Sequence, residues 1–266
     1  LIEILDRYLD SAPRADANVV ETGAFTLFVS RAPWPYYARP SIGFERALER
    51  SDVDLLADVC RQQAVPLAIE WICEVRPELA AVAAQCGLLV HTHPLLAAPS
   101  NAVSAAHVEG VTVRVASAED PGLLAAGRAV ADVSFGAGGT AIAASGVAER
   151  ETAQDRLASA MIDGLRERAA SGASVTAVAE LEGYGIVGSG SYRPIADTAE
   201  LLGVATLPFA RRRGIAAALT AALARHAAAS GVATLLLSAQ DDDVARIYER
   251  TGFRRVGAAG AAERSS

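Results

Sequence analysis

The chain has 266 residues, room for one large domain or two small ones, and 52% of them are apolar with only 5% aromatic, so its core must be built from Ala, Val, Leu and Ile. Its net charge of −7 argues against general nucleic-acid binding, which needs a basic face to neutralise phosphates. Its three cysteines, Cys60, Cys73 and Cys86, are odd in number and form no C-x-x-C pair, so they read as reduced thiols of a cytoplasmic protein.

The chain as given opens on Leu, without a basic stretch leading into an apolar one, and no signal peptide is expected. Its longest apolar stretch, Ile215 to Ala229, is broken by Arg225 and His226 and is too short to span a bilayer, so no membrane partner is expected. The first hundred residues read as helix, two strands, helix, strand, helix, strand. "HTH" puts His91 and His93 on one face of a strand, as two metal ligands could stand, but no third ligand is evident and a structural role is expected, with no metal. "HPLLAAPSNAVSAAHVEG", residues 93–110, carries Pro, Ser and Asn without a sustained period and reads as a linker between two halves.

Beyond it, "VTVRVAS" (111–117) alternates like a strand. "DPGLLAAGRAVADVSFG" opens with an Asp cap and a Pro at the first helical position, and "ERETAQDRLASAMIDGLRERAASG" reads as one second helix closed by Gly172. "ASVTAVAEL", "YGIVGSGSYRPI" and "TAELLGVATL" read as three successive strands. An alanine-rich helix from Gly214 to about Ser230 follows. The continuously apolar strand "VATLLLSA" then suits a sheet covered on both faces. "DDDVARIYERTG" is a short helix, "FRRVGAA" a last strand and "AAERSS" a loose tail. The order β-α-α-β-β-β-α-β-α-β predicts an α/β domain over 111–266.

"GYGIVG", Gly183 to Gly188, matches the dinucleotide fingerprint G-x-G-x-x-G, but that motif works by turning a strand into a helix. Here "SGSYRPI" follows and no helix does, so a hairpin turn and a strand of small side chains are expected instead.

"LPFARRRGIAAAL", residues 207–219, poses a charge problem. Arg211, Arg212 and Arg213 stand just before a helix, at the end where the macrodipole is already positive. Such a cluster asks for an anion, and on an acidic protein one small anionic ligand fits better than a polymer. Free N–H groups at the helix start would face that anion, and Gly214 would let the backbone approach it closely.

Pro208, Arg211, Gly214 and Ala216 form P-x-x-R-x-x-G-x-A at a strand-to-helix junction, which resembles the central signature of the GCN5-related N-acetyltransferases, the GNAT superfamily. The resemblance implies a mixed, mostly antiparallel sheet flanked by helices. It implies that Arg211, Arg212, Arg213, Gly214, Ile215, Ala216 and Ala217 hold the pyrophosphate of acetyl-CoA, and that the backbones of Val204, Ala205 and Thr206 bind its pantetheine arm where two strands splay apart. "SAQDDDVARIYERTGF" is similar to a later family motif and places Tyr248 as general acid toward the departing thiolate, although Val244, Ile247, Tyr248 and Thr251 also follow the spacing of a core-facing helix stripe. Glu200, eleven residues before Arg211, stands where many members carry a general base; an exposed carboxylate at a strand start is the plainer alternative. Where the family often has Asn, this chain has Asp241, followed by Asp242 and Asp243, so no coenzyme contact is carried onto Asp241.

Sliding the chain on itself by 165 residues sets 44–91 on 209–256 without a gap, with Phe44 on Phe209, Arg46 on Arg211 and "PLAIEWI" on "GVATLLL". Glu49 then falls on Gly214 and Ala83 on Tyr248, so the copy lacks the chemistry. The expected organisation is two domains, a degenerate GNAT-like one at 1–98 and a catalytic one at 111–266. The expected function is acetyl-CoA-dependent N-acetylation of a primary amine on an unidentified small molecule or protein. Transfer would be direct, in a ternary complex, because no cysteine falls in the matched motifs. A coenzyme-A-binding regulatory or scaffolding module without turnover is the alternative, and a monomer and a homodimer are both compatible with the sequence.

Overall fold

The structure, a computed structural model, describes residues 1–31 and 35–264. Its helices are α1 (Ile2–Ser11), α2 (Arg50–Gln62), α3 (Leu79–Gln85), α4 (Pro121–Gly136), α5 (Val147–Asp155), α6 (Ser159–Ala170), α7 (Ile215–Ala229) and α8 (Asp242–Glu249). Its strands are β1 (Ala17–Glu21), β2 (Phe25–Ser30), β3 (Ala38–Pro40), β4 (Ala68–Ile72), β5 (Leu89–Pro99), β6 (Val111–Ala116), β7 (Val175–Leu181), β8 (Gly185–Ile195), β9 (Thr198–Thr206), β10 (Thr234–Ser238) and β11 (Arg254–Glu263). These belong to two compact units that interleave in sequence. Unit 1 comprises Leu1–Leu96, Ser238–Asp242 and Arg255–Ser266; unit 2 comprises Ala97–Leu237 and Asp243–Arg254.

In unit 1 the strand order is β1-β2-β3-β4-β11-β5. Phe25 and Leu27 of β2, Ile69 and Trp71 of β4 and Ala262 of β11 share one apolar cluster with Val53, Leu56 and Cys60 of α2 and Leu79 and Ala83 of α3. β11 pairs antiparallel with β4, from Ala259 opposite Ile72 to Glu263 opposite Ala68. The tail expected to be loose at 261–266 is therefore strand as far as Glu263, because Ala262 is buried in that cluster; residues 265–266 lie outside the described residues. Gly260 lets the Trp71 ring lie on the β11 backbone, since a Cβ there would stand 2.2 Å from the indole.

The first part of the stretch expected as a linker, 93–99 of 93–110, is also strand. β5 runs to Pro99, and Leu95, Leu96, Ala97 and Ala98 are buried. Burial of four successive residues removes the alternation by which a half-exposed strand is recognised. β5 begins in unit 1 and ends in unit 2.

In unit 2 the order is β10-β9-β8-β7-β6, and all these pairs are antiparallel except β10 with β9. Successive residues of β8 point to opposite faces, and each face meets a helix. Gly188 and Gly190 face α7, where an added Cβ would strike Ile215 and Leu219 at the first position and Leu223 at the second; Ser189 faces Gly127 of α4. The apparent dinucleotide fingerprint thus spans a hairpin turn and a strand, and its last glycine provides a close seat for α7. The second helix expected from 149 to 172 is two, α5 and α6, with a break at Arg156–Ala158. α5 packs on α4 and β8 whereas α6 packs on α4 and β7.

Candidate functional site

The site is built where β9 leaves β10. Their parallel pairing runs Thr234–Thr198, Leu235–Ala199 and Leu236–Glu200 and stops there. Glu200 therefore stands at the fork, directly opposite Arg193 of β8. Beyond it β9 carries a bulge: Ser189 pairs with Ala205 and Ser191 with Leu202, so Gly190 alone faces Gly203 and Val204. Gly203 has φ +60°, the left-handed residue of a glycine bulge, and re-aims the backbone of Val204, Ala205 and Thr206. An isolated Gly inside the strand pattern "LLGVA" was the available sequence signal for this bulge. The Thr206 hydroxyl is buried without a hydrogen-bond partner among the described residues.

Two residues further, Pro208–Ala210 form a single 3-10 turn and the chain enters the arginines. Arg212 has φ +67° and Gly214 φ +83°, while Arg212, Arg213 and Gly214 are exposed. A left-handed arginine is uncommon and costs about 1–2 kcal/mol, a strain characteristic of ligand clamps. α7 starts at Ile215 with no side-chain cap, so its first N–H groups, those of Ile215, Ala216 and Ala217, lack intrahelical partners. Val108 bounds the other side of Gly214, 3.2 Å from where a Cβ would be. Uncapped amides, a backbone bare of Cβ and two exposed arginines follow one another here, a cradle that could hold a small polyanion such as a pyrophosphate.

Arg211 points elsewhere. Its Nε donates to the Thr206 carbonyl (3.4 Å), Nη1 to the carbonyls of Gly138 (3.1 Å) and Ala141 (2.9 Å), and Nη2 to that of Ser134 (2.8 Å). Burial lowers its pKa from the usual arginine value.

Residues 145–253 match the family described as Acetyltransferase (GNAT) family. That stretch belongs to the GNAT family. The match contains the fork, the cradle, Glu200 and Tyr248. Three solved structures resemble the chain over nearly its whole length: a GCN5-related N-acetyltransferase from Kribbella flavida (20% identity, 100% of this chain and 96% of that one, TM-score 0.73), a functionally unknown conserved protein from Staphylococcus epidermidis ATCC 12228 (15%, 93% and 93%, TM-score 0.60), and a tandem GNAT protein from the clavulanic acid biosynthesis pathway (14%, 91% and 79%, TM-score 0.56). At these identities they show fold alone, and that fold is GNAT-like over the whole chain. No curated protein matches the sequence.

Tyr248 lies in the last turn of α8, its ring edge-on to Phe253 at 5.9 Å, and its carbonyl is held by the hydroxyl of Thr251 at 2.7 Å. Burial pushes its phenol up to about 12. A raised folded value favours the protonated form, so this contribution to stability is intact below the ordinary tyrosine value near 10 and is lost as pH rises through about 12. An ultraviolet difference titration of wild type against Tyr248→Phe is expected to show one missing phenol that ionises near 12. A missing phenol that titrates near 10 would show that Tyr248 is solvated instead. Of the flanking aspartates, Asp242 pairs with Arg255 (2.9 Å) and Asp243 with Arg246.

The start of α2 in unit 1 is engaged by its own side chains. The same 165-residue offset sets the start of α2 on that of α7, β4 on β10 and β5 on β11. At the α2 start the Asp52 carboxylate accepts from the Glu49 N–H (2.9 Å) and from both terminal nitrogens of Arg46 (2.8 and 2.6 Å), and Arg46 holds that carboxyl below the usual range. An internal anion thus already sits at the start of α2.

The three thiols, all in unit 1, are free and burial raises each of them. His93 Nδ1 lies 3.0 Å from the Gln240 carbonyl, and no cluster of three or more metal-ligating side chains occurs among the described residues. No helix among them is long and apolar enough to cross a membrane. A groove of about 380 Å³ between α4 and α5 is lined by Asp132, Val133, Ala148, Glu149, Thr152 and Arg156.

Proposed function

We propose that the protein is a cytoplasmic N-acetyltransferase that moves the acetyl group of acetyl-CoA to a primary amine in a ternary complex. The observation that carries this reading is the uncapped start of α7 behind Gly214, next to the fork at Glu200, inside a stretch that belongs to the GNAT family. Acetyl-CoA would supply the activated thioester. Arg212, Arg213 and the amides of Gly214 to Ala217 would hold its pyrophosphate, and the open edge of Val204, Ala205 and Thr206 its pantetheine arm. Glu200 would take a proton from the incoming ammonium, directly or through water, because an amine with a pKa near 10 is mostly protonated at neutral pH. Tyr248, kept protonated by its burial, would donate to the departing sulfur. Unit 1, with Asp52 at the start of α2, would bind no coenzyme, so one equivalent should bind per chain.

The test is calorimetric titration with acetyl-CoA, followed by incubation of labelled acetyl-CoA with a panel of primary amines. Wild type is expected to bind one equivalent and to acetylate at least one amine. Tyr248→Phe and Glu200→Gln are each expected to lower kcat by about a hundredfold, the usual range for losing a general acid or base, with coenzyme affinity nearly unchanged. Binding by wild type without transfer to any amine would favour the regulatory module. No binding would remove the acetyltransferase reading.

A further inference from the structure

The three arginines before α7 do not share one task. Arg212 and Arg213 are exposed, but Arg211 is partly buried and spends four of its five N–H groups on main-chain carbonyls. Three of those carbonyls, Ser134, Gly138 and Ala141, belong to the end of α4 and the segment after it. Ser134 lies in the last turn of α4, where carbonyls have no intrahelical partner and the macrodipole is negative. The cation misplaced at the start of α7 is therefore well placed at the end of α4. The fourth carbonyl, Thr206, closes β9 at the open edge of the fork.

Other bonds run along the same seam. The Ala143 N–H donates to the Pro208 carbonyl (3.3 Å), the Phe209 N–H donates to the Ser145 carbonyl (3.2 Å), and the Phe209 ring lies where a Cβ on Gly146 would be, at 2.9 Å. Between these ties the segment has no regular structure, and Gly138 and Gly139 both have positive φ. It carries an exposed Ile142, and Phe135 is exposed just ahead of it. Without the guanidinium fork, little besides two backbone bonds would fix its course.

We propose that Arg211 is a positioning residue rather than a phosphate ligand: it staples the 134–141 segment to the end of β9, and the charge that meets the pyrophosphate comes from Arg212 and Arg213. The second half of this statement rests on the acetyl-CoA reading; the staple itself does not. A lysine at 211 keeps the charge but offers its donors from a single point, so it cannot span four carbonyls. Charge and geometry are therefore separable.

Amide exchange on the protein without coenzyme tests the staple. Arg211→Lys and Arg211→Gln are expected to speed exchange at residues 137–145 at least tenfold, with global unfolding little changed, whereas Arg212→Ala and Arg213→Ala leave those rates as they are. Calorimetry with acetyl-CoA at several salt concentrations tests the division of charge. Arg212→Ala and Arg213→Ala are expected to weaken binding about tenfold each and to flatten its salt dependence. Arg211→Gln should keep the wild-type salt dependence even if affinity falls. Unchanged exchange in both Arg211 variants would overturn the staple. Arg211→Lys binding like wild type while Arg211→Gln flattens the salt dependence would make Arg211 a phosphate ligand. If wild type fails to bind acetyl-CoA, the coenzyme reading falls while the exchange result still decides the staple.

Discussion

Gly214→Glu is expected to abolish acetyl-CoA binding, a loss of more than a hundredfold by calorimetry, while the protein stays folded. Three effects add. At φ +83° any side chain is strained by about 1–2 kcal/mol, and relief of that strain would turn the amide array away from the ligand. The new Cβ would also crowd Val108, 3.2 Å away. The carboxylate would then meet a pyrophosphate at roughly 5 Å, a repulsion of about 3 kcal/mol at an effective dielectric near 20. Gly214→Ala separates the terms, because it keeps the strain and the crowding without the charge. Its expected loss is about tenfold, and equal losses for Ala and Glu would mean that no anion binds at this loop. The glutamate variant also copies unit 1, where Glu49 holds the corresponding place.

The largest effect on stability is expected from Gly260→Val. A Cβ at Gly260 would sit 2.2 Å from the Trp71 ring, which is 1% exposed and walled in by α2 and α3. Neither group can move away: the indole fills the core, and the β11 backbone is pinned to β4 on the register Gly260–Trp71. Overpacking of a core typically costs 1–3 kcal/mol, and this contact lies at the severe end. A fall of about 6–12 °C in the first thermal transition is expected, with a change in tryptophan emission because Trp71 reports the event directly. A variant with wild-type melting and emission would mean that β11 does not lie beside β4. Ala258→Val, two residues away in the same strand, is a milder control.

Most of unit 2 was legible because its elements announce themselves by period: alternation in β6 and β7, an Asp–Pro start for α4, a run of alanines bounded by glycines for α7. The two strand segments that were missed lack the alternation of a half-exposed strand. β5 reads as a linker because Leu95 to Ala98 are apolar without alternation and flanked by Pro94 and Pro99. The end of β11 reads as a tail because its Gly and Ala residues carry no pattern; they are small because Trp71 and Glu74 lie against Gly260 and Gly257. At the site, Gly214 and Glu200 were singled out through the resemblance to the GNAT signature. That signature could not tell Arg211 from Arg212 and Arg213, because the carbonyls that claim Arg211 lie some seventy residues earlier in a stretch with no motif.

The place of β11 in unit 1 also sets an order of events during synthesis. A chain leaves the ribosome N-terminus first, and domains ordinarily fold in that sequence as they emerge. Here Ile72 must wait for Ala259, and the strand that belongs between β4 and β5 is among the last parts of this sequence to be made. Until it arrives, β4 presents a bare edge in an apolar setting, the kind of surface that pairs with other chains. Unit 1 is begun first and finished last, so a nascent chain stalled before residue 254 would carry an open sheet edge rather than a folded half.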